Sequence, residues 1–318
     1  MHMQGFQLIK ADEPVQARPL IFTIFGQPGI GKTSLSFTMP KPVLFLDFDR
    51  GALRAVQNNR PDVVNVQDFG AFYSSLLSDD FAAFIRQNGY KSVVIDTVGA
   101  MLDDFAANYL IRTDRKNGNA AGGLSLQGWG ALSNLFNSIR NRFMELGVNI
   151  CFIAHSKDAG EDAVARMELS IKGGSSDIVT RVSDQIGFVY MEGQNRTLDF
   201  APSQMHLGKD TGGIGKVTIP TPESASYATY IDNIVEKVNA KMFAESEAQI
   251  KTREDIAHLK EMLKNVSNVS DFEIFTEELS SVAPSVKAHL RSSVAARMKE
   301  LNITYNKAEK RYEASIQD

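Results

Sequence analysis

The sequence predicts an α/β protein whose central sheet is mostly parallel and covered by helices on both faces. Short apolar runs rich in β-branched residues recur along the first half of the chain, with segments of helical spacing between them. Strand and helix alternation of this kind is typical of a parallel sheet. The composition agrees, because 43% hydrophobic and 23% charged residues supply a sizeable core and exclude disordered and fibrous classes.

Five apolar runs bounded by turn-forming residues are the predicted strands of this sheet: 20–25, 43–48, 63–66, 92–95 and 148–154. Apolar residues recur at helical spacing in the segments between them, which predicts helices over 33–38, 72–87, 98–112 and 126–146. In such a sheet, ligands bind at the carboxyl ends of the strands. Polar residues that follow directly after these strands are therefore the first candidates for a functional site.

The second half of the chain has a different pattern. Residues 185–191 and 196–201 flank a turn at 192–195, which predicts an antiparallel hairpin that extends the main sheet. A glycine-rich loop over 208–222 ends in two prolines, and four helices are expected after it, at 231–244, 254–265, 271–280 and 285–301. We therefore expect an α/β domain over residues 1–240 and a small helical region over residues 241–318.

A phosphate-binding loop follows the first predicted strand. Residues 26–33 match the pattern G-x-x-x-x-G-K-[ST] in full and lead into a predicted helix, which is the context that the pattern requires. Backbone N–H groups of such a loop surround the phosphates, Lys32 reaches the β- and γ-phosphates, and the Thr33 hydroxyl binds Mg²⁺. A Gly-Pro turn with a chance lysine is the alternative. The predicted nucleotide-binding residues are Gly26, Gln27, Pro28, Gly29, Ile30, Gly31, Lys32, Thr33 and Ser34.

A carboxylate ends the buried strand at 92–95 and is the expected second ligand of the metal. Asp96 follows four apolar or small residues, an arrangement that places an acid beside the Mg²⁺ at a phosphate loop. Asp96 is therefore the predicted Walker B residue. An aspartate that caps the next helix is the alternative, although Thr97 would serve that purpose equally well.

The acid that orients the attacking water has to come from another strand. Residue 97 is threonine, so this acid does not directly follow Asp96 as it does in the AAA+ class. Asp47 and Asp49 end the neighbouring predicted strand, and they would lie on the same face if the strand continued that far. Asp49 is the preferred general base, Asp47 the second choice, and a structural carboxylate the remaining interpretation.

These residues together resemble the RecA superfamily, in which an acid on a second strand activates the water. Asp49 matches that position, where RecA-like proteins generally carry glutamate, so the shorter side chain suggests slow hydrolysis. The resemblance also implies a polar sensor of the γ-phosphate at the end of the strand over 148–154, which is His155 here. A satisfied structural histidine is the alternative. Lys32, Asp49 and His155 are thus the predicted catalytic residues.

The same resemblance points to two loops as DNA contacts. The first, 112–128, carries Arg115 and Lys116, and the second, 158–176, carries Arg166 and Lys172 on a glycine-rich backbone. Ordinary solvated loops are the competing interpretation. Trp129 could stack on a base or pack in the core. The net charge of −4 means that any DNA surface is a local patch.

Lys209 lies after the hairpin, in the region from which RecA-like subunits reach into a neighbour's nucleotide. An ordinary exposed lysine is the alternative. If Lys209 acts in trans, hydrolysis depends on a homo-oligomer in the form of a ring or a filament.

At the level of a single family, the chain resembles the phage nucleotide-binding proteins, which are RecA-like ATPases without further domains. The resemblance covers roughly residues 6–238 and is carried by the phosphate loop, 46–51, 93–97, 124–130, 153–157 and 208–210. It implies ATP and Mg²⁺ as cofactors, single-stranded DNA as a partner, and association with a phage annealing or single-strand-binding protein. It also implies a location in the cytoplasm of the bacterial host.

The resemblance implies a DNA-dependent ATPase that promotes annealing or strand exchange in phage recombination or replication. A ring-forming helicase or loader is the first alternative, and a nucleotide-gated adaptor that recruits a partner through its C-terminal helices is the second. No apolar run approaches the roughly 20 residues that span a bilayer, so no membrane partner is expected.

Overall fold

The computed structural model describes residues 17–52, 55, 60–159, 166–244, 247–306, 309 and 311–314. It divides into two compact units, of which the larger comprises Arg18–Met242. The smaller unit contains the helices and strands that follow Met242. Within the described ranges, no helix is both long enough and apolar enough to cross a membrane.

The larger unit is built on a ten-stranded mixed sheet, and the predicted α/β fold is confirmed. The strands lie in the order β10-β8-β7-β1-β5-β4-β2-β3, while β6 pairs with β5 and β9 pairs with β7. Their bounds are β1 Ile21–Gly26, β2 Val43–Asp47, β3 Asp62–Asn65, β4 Ser92–Asp96, β5 Asn149–Asp158, β6 Met167–Leu169, β7 Gln185–Glu192, β8 Asn195–Asp199, β9 Lys209–Asp210 and β10 Lys216–Thr218.

The direction of pairing separates a parallel half of the sheet from an antiparallel extension. β1 pairs in parallel with both β5 and β7, and the pairs β5–β4, β4–β2 and β2–β3 are also parallel. β7 and β8 form the predicted hairpin, to which β10 is added in antiparallel fashion. Every residue of β1, β2 and β4 is buried, as expected for strands covered on both faces.

Helices cover the sheet largely where the spacing predicts them, with one helix divided in two. The segment 72–87 contains α2 (Phe69–Leu76) and α3 (Asp79–Gln87), because Ser78 begins a new helix by accepting a hydrogen bond from the Phe81 N–H at 3.2 Å. The remaining helices of the unit are α1 Lys32–Ser36, α4 Val98–Ala100, α5 Ala107–Thr113, α6 Leu126–Glu145, α7 Ser175–Val182 and α8 Tyr230–Met242.

The helix that follows β4 is irregular. Between α4 and α5, residues Met101–Ala106 form a π-helical segment, so that one continuous helical stretch runs from Val98 to Thr113. The Thr97 hydroxyl caps this stretch by accepting from the Ala100 N–H at 3.1 Å. π-helical segments inside α-helices occur frequently at functional sites. This one carries two adjacent acids, Asp103 and Asp104.

The smaller unit has three predicted helices and one hairpin that the sequence does not predict. Its helices are α9 (Glu247–Asn265), α10 (Val269–Ser281) and α11 (Pro284–Glu300). Leu259, Phe272, Phe275, Val286 and Leu290 are among the residues that form its buried core. The chain then pairs β11 (Ile303–Asn306) with β12 (Arg311–Ala314), which places Tyr312 against the Phe272 ring at 4.9 Å. The region is therefore not helical throughout.

Candidate nucleotide site

The phosphate loop joins β1 to α1, as predicted, and two of its glycines have backbone angles that only glycine adopts readily. Gly29 has φ 78° and Gly31 has φ 95°. Gly26 packs so closely on β7 that a Cβ there would collide with the Val189 carbonyl oxygen. The loop conformation therefore depends directly on the glycines of the motif.

Lys32 is the first residue of α1, and its ammonium group is folded back onto the loop. Its Nζ donates to the carbonyl oxygens of Gly26 at 3.0 Å and Gln27 at 2.9 Å, and the residue is 5% exposed. Burial lowers the pKa of Lys32, an effect that the nearby carboxylates of Asp96 and Asp49 partly oppose. The Lys32 amino group thus lies at the centre of the loop.

Thr33 and Asp96 meet directly below the loop, as expected for two ligands of one metal ion. The Thr33 hydroxyl donates to Asp96 Oδ2 at 2.6 Å. Burial, with smaller contributions from Asp49 and Asp47, raises the pKa of Asp96 to about 7, although the bond from Thr33 lowers it. A bound cation would relieve the cost of a buried carboxylate. Hydroxyl and carboxylate oxygens are also the ligand types that Mg²⁺ prefers.

Asp47 and Asp49 have different surroundings, which distinguishes the two candidate bases. Asp47 is 2% exposed and its carboxylate accepts from the backbone N–H groups of Gly51 at 2.9 Å and Ala52 at 3.1 Å. β2 ends at Asp47, so the continuous strand that would place both acids on one face is absent. Asp49 nevertheless reaches the cavity, because the chain turns after Asp47 and carries it there.

Asp49 and His155 face each other across the cavity. His155 Nε2 lies 3.9 Å from Asp49 Oδ2. Burial and the charge of Lys32 lower the pKa of His155, whereas Asp49 raises it. Asp49 Oδ1 and His155 Nδ1 are both buried and have no hydrogen-bond partner among the described residues. Unpaired buried polar atoms are costly unless a ligand or water meets them.

His155 is not the end of its strand, contrary to the prediction. β5 continues to Asp158 and pairs there with β6 in antiparallel fashion. The histidine is nevertheless at the edge of the cavity, because β1 and β5 pair in a register that sets Gly26 opposite His155. The first glycine of the loop and the histidine therefore lie side by side.

One cavity of about 640 Å³ collects these groups, which is within the usual size range of small-molecule sites. It is lined by Pro28, Gly29, Gly31, Lys32, Thr33, Ser34, Asp49, Gly51, Ala55, Asp96, His155 and Arg196. Among the described residues, no group of three or more histidines, cysteines and carboxylates could hold a metal alone. A site of two protein oxygens suits Mg²⁺, which keeps several waters and binds together with phosphates.

Comparison with known protein families gives a match over the residues that build this cavity. A family model described as an AAA domain matches residues 18–211. The chain belongs to this AAA-domain family. It is therefore a P-loop ATPase in the broad sense. No curated protein matches the chain. In this AAA domain the residue after Asp96 is threonine.

Arg196 is a residue of the AAA-domain cavity that the sequence does not indicate. It lies on β8 in the predicted hairpin, and its Nη1 donates to the Ile30 carbonyl oxygen at 3.5 Å. A Cβ on Gly31 would collide with the same nitrogen. Arg196 is separated from the loop by about 165 residues of sequence, and only the sheet order brings the two together. A basic residue in a hairpin carries no recognisable motif.

Trp129 directly follows the first predicted DNA loop and packs against the second. Arg115 and Lys116 lie in an exposed 3-10 turn, and the Lys116 carbonyl accepts from the Ser125 hydroxyl at 2.6 Å, just before α6. Trp129, in the first turn of α6, packs against Gly173, where a Cβ would lie 2.8 Å from the ring. Lys172 is therefore close to the tryptophan, which is half-buried.

Arg166 and Lys209 have partners within the chain. Arg166 lies 3.4 Å from Glu168 and is next to residues 160–165, which are outside the described residues. Lys209, on β9, donates to the Arg181 carbonyl oxygen at 3.3 Å, at the end of α7. Neither residue lines the cavity that contains Lys32 and Asp96.

Proposed function

We propose that this chain is an Mg²⁺-dependent ATPase of the RecA-like type that binds single-stranded DNA. We further propose that it promotes annealing or strand exchange in phage recombination or replication. The observation that carries the proposal is the meeting of Lys32, Asp49 and His155 in one cavity with the pair Thr33 and Asp96. A phosphate loop alone requires only Lys32 and the metal-binding pair of Thr33 and Asp96.

Each residue of the cavity has a distinct role in the proposed phosphoryl transfer. Thr33 and Asp96 would hold Mg²⁺, which when bound neutralises charge on the β- and γ-phosphates. Lys32 would exchange its two carbonyl partners for phosphate oxygens and stabilise the charge that develops on them. Asp49 would accept a hydrogen bond from the attacking water and orient it in line with the γ-phosphate. His155, which lines the cavity, would contact the γ-phosphate.

The first experiment measures ATP turnover of the wild-type protein and of Lys32→Ala and Asp49→Asn. We expect Asp49→Asn to bind ATP normally and to lose about 100-fold or more in kcat, as for removal of a general base. Lys32→Ala should lose both binding and turnover. Asp80→Asn, an exposed acid in the first turn of α3, is the matched control. Full activity of Asp49→Asn would exclude Asp49 as the base.

A chain of contacts joins the nucleotide site to the second DNA loop, which supports a role for DNA. The helical stretch after Asp96 touches the loop at two points, since a Cβ on Gly99 would lie 3.1 Å from the Ser170 carbonyl oxygen. Farther along, the Asp103 carboxylate accepts from the Lys172 N–H at 3.0 and 3.2 Å. These contacts connect the helical stretch that follows Asp96 with the backbone of Lys172.

The DNA proposal is tested by fluorescence anisotropy with a labelled oligo-dT strand. Replacing Arg115 and Lys116 together with alanine should weaken binding. It should also reduce the log–log slope of affinity against salt by about 0.7 for each DNA phosphate that these side chains neutralise. Lys172→Ala should behave similarly. Lys91→Ala, at the opposite end of β4, is the control for removal of a positive charge. Unchanged binding in all variants would contradict the assignment of these loops.

Assembly and the partner remain part of the same proposal. We propose that the protein forms a ring or filament in which Lys209 reaches the neighbour's nucleotide and that a phage annealing or single-strand-binding protein binds it. Lys209→Ala should then assemble normally, as seen by negative-stain microscopy, and lose the DNA-stimulated part of its turnover. Turnover stimulated to the wild-type level would reject this role. Closed rings that unwind a forked duplex would instead identify a helicase, and nucleotide binding without turnover an adaptor.

A further inference from the structure

The cavity extends across the sheet, and its two ends differ in charge. Asp49, Asp96 and His155 lie at the end above β2, β4 and β5, whereas Arg196 reaches the cavity from β8, on the other side of β1. Three strands, β7, β1 and β5, separate β8 from β4 in the sheet order. Among the described residues, the acids therefore line one end of the cavity and the guanidinium of Arg196 lies at the other.

The proposed mechanism fixes the direction in which a nucleotide would lie. The γ-phosphate and the attacking water belong at the end with Asp49 and His155. The backbone N–H groups of a phosphate loop surround the α- and β-phosphates. The rest of the nucleotide then extends from the loop toward β8. Arg196 lies over Ile30 and Gly31, so it stands on the side of the α-phosphate and the nucleoside.

The guanidinium of Arg196 is available to a ligand. Its hydrogen bond to Ile30 is long, at 3.5 Å, and no carboxylate pairs with it in the part of the chain that the structure describes. Tyr227 is 5% exposed, and its phenolic oxygen has no hydrogen-bond partner among the described residues. Burial raises the pKa of this phenol, and the charge of Arg196 counteracts that effect.

We propose that Arg196 binds the α-phosphate of the nucleotide in the same subunit. The proposal rests on the function proposed above. A planar guanidinium donates two parallel hydrogen bonds to a phosphate, which gives both affinity and orientation. A contact at the α-phosphate is present in the triphosphate, in the transition state and in the diphosphate alike. It therefore contributes uniform binding and does not accelerate the chemical step.

An equal effect on ATP and ADP binding distinguishes the expected role of Arg196 from the roles of the residues at the acidic end of the cavity. Arg196→Ala should raise the dissociation constants of both ATP and ADP by about 10- to 100-fold, the usual effect of losing hydrogen bonds to a charged group. At saturating ATP, kcat should stay within roughly twofold of the wild type. A residue that only supports the fold would not produce this combination.

The experiment titrates fluorescent ATP and ADP analogues into wild-type protein, Arg196→Ala, Arg196→Lys and Lys216→Ala, and measures kcat for each. Lys216 is the matched control, since it lies on β10, is half exposed and pairs with Glu192 at 2.8 Å outside the cavity. Arg196→Lys keeps the charge and should lie between the wild type and Arg196→Ala. If Arg196→Ala does not fold, nucleotide affinity and kcat are compared between the wild type and Arg196→Lys instead.

Three results would overturn the proposal. They are unchanged affinity for both nucleotides, a loss confined to ATP, and a fall in kcat with unchanged ADP binding. The last two would place the guanidinium at the γ-phosphate. The ATPase proposal and the Arg196 proposal fail in different ways. If the wild-type protein binds ATP and ADP without hydrolysing ATP, the ATPase proposal is contradicted. The comparison of ADP binding between the wild type and Arg196→Ala then still decides whether Arg196 contacts the nucleotide. A wild-type protein that binds neither nucleotide contradicts both.

Discussion

Replacing Asp96 with asparagine should change how the stability of the ligand-free protein depends on pH. Burial raises the pKa of Asp96 to about 7, far above the ordinary value of 3.8. The folded protein therefore holds a proton that the unfolded chain has released. The contribution of this proton to the free energy of unfolding is fully present below pH 3.8 and is lost as the pH rises toward 7. Above that value the loss is constant.

The expected size of the effect follows from this pKa. Each pH unit between the two pKa values costs about 1.4 kcal/mol, so the wild type should lose about 3 kcal/mol from this group between pH 5 and pH 8. Asparagine has no proton to lose, and its amide oxygen still accepts from the Thr33 hydroxyl. The stability of Asp96→Asn relative to the wild type should therefore increase by about the same amount over this range.

Urea unfolding at pH 5 and pH 8, without nucleotide or metal, measures this difference. Trp129 is the only tryptophan of the chain and lies in α6 of the larger unit, so its fluorescence reports the unfolding of the unit that contains Asp96. Asp80→Asn, on the surface, should follow the wild type at both pH values. If the free energies of unfolding of Asp96→Asn and the wild type differ by the same amount at pH 5 and pH 8, Asp96 is not protonated in the folded protein and the reasoning is wrong.

Three further substitutions test other parts of the structure. Asp47→Ala should lower the free energy of unfolding by about 1–3 kcal/mol in urea titrations, because the backbone N–H groups of Gly51 and Ala52 lose their acceptor; an unchanged midpoint would show that the bonds contribute nothing. Gly31→Ala should lower the free energy of unfolding by about 1–2 kcal/mol and abolish ATP binding, since φ is 95° at this position and the new Cβ would collide with the Arg196 guanidinium. Normal ATP affinity by calorimetry would contradict this. Phe275→Ala, at a fully buried position, should destabilise the smaller unit by about 3–5 kcal/mol in urea unfolding followed by circular dichroism, and a decrease below about 1 kcal/mol would mean that the core collapses around the gap.

The parts of the fold that the sequence predicts correctly are those fixed by local chemistry. The phosphate loop is evident from eight consecutive residues, and the buried strands are evident from runs such as Val93 to Ile95, where burial on both faces removes any alternation. The sequence does not predict α7 and β6, because β6 has only three residues and α7 has only eight, most of which are polar. The terminal hairpin is also unpredicted, since its strands have four residues each and the structure alone shows that Ile303 and Tyr312 pack on the core of the smaller unit.

The sequence likewise predicts only some residues of the candidate site correctly. Asp96 is predicted from its own strand, and the structure places it beside Thr33 as expected. The expectation that Asp47 and Asp49 share a face assumes that β2 continues past Asp47, yet Asp49 reaches the cavity through a turn that no pattern encodes. Arg196 could not be predicted at all, because its position depends on the order of strands across the whole sheet.

The ladder between β1 and β5 has a consequence for how this family can vary in length. Gly26 pairs opposite His155 in that ladder, so the first glycine of the loop and the histidine are aligned by counting residues along two strands. One residue inserted into β5 before His155 would shift the side chain by about 3.3 Å and turn it to the other face of the sheet. Insertions and deletions during evolution should therefore be excluded between residues 149 and 155. They should accumulate in turns such as the one between β7 and β8, where added residues leave the alignment intact.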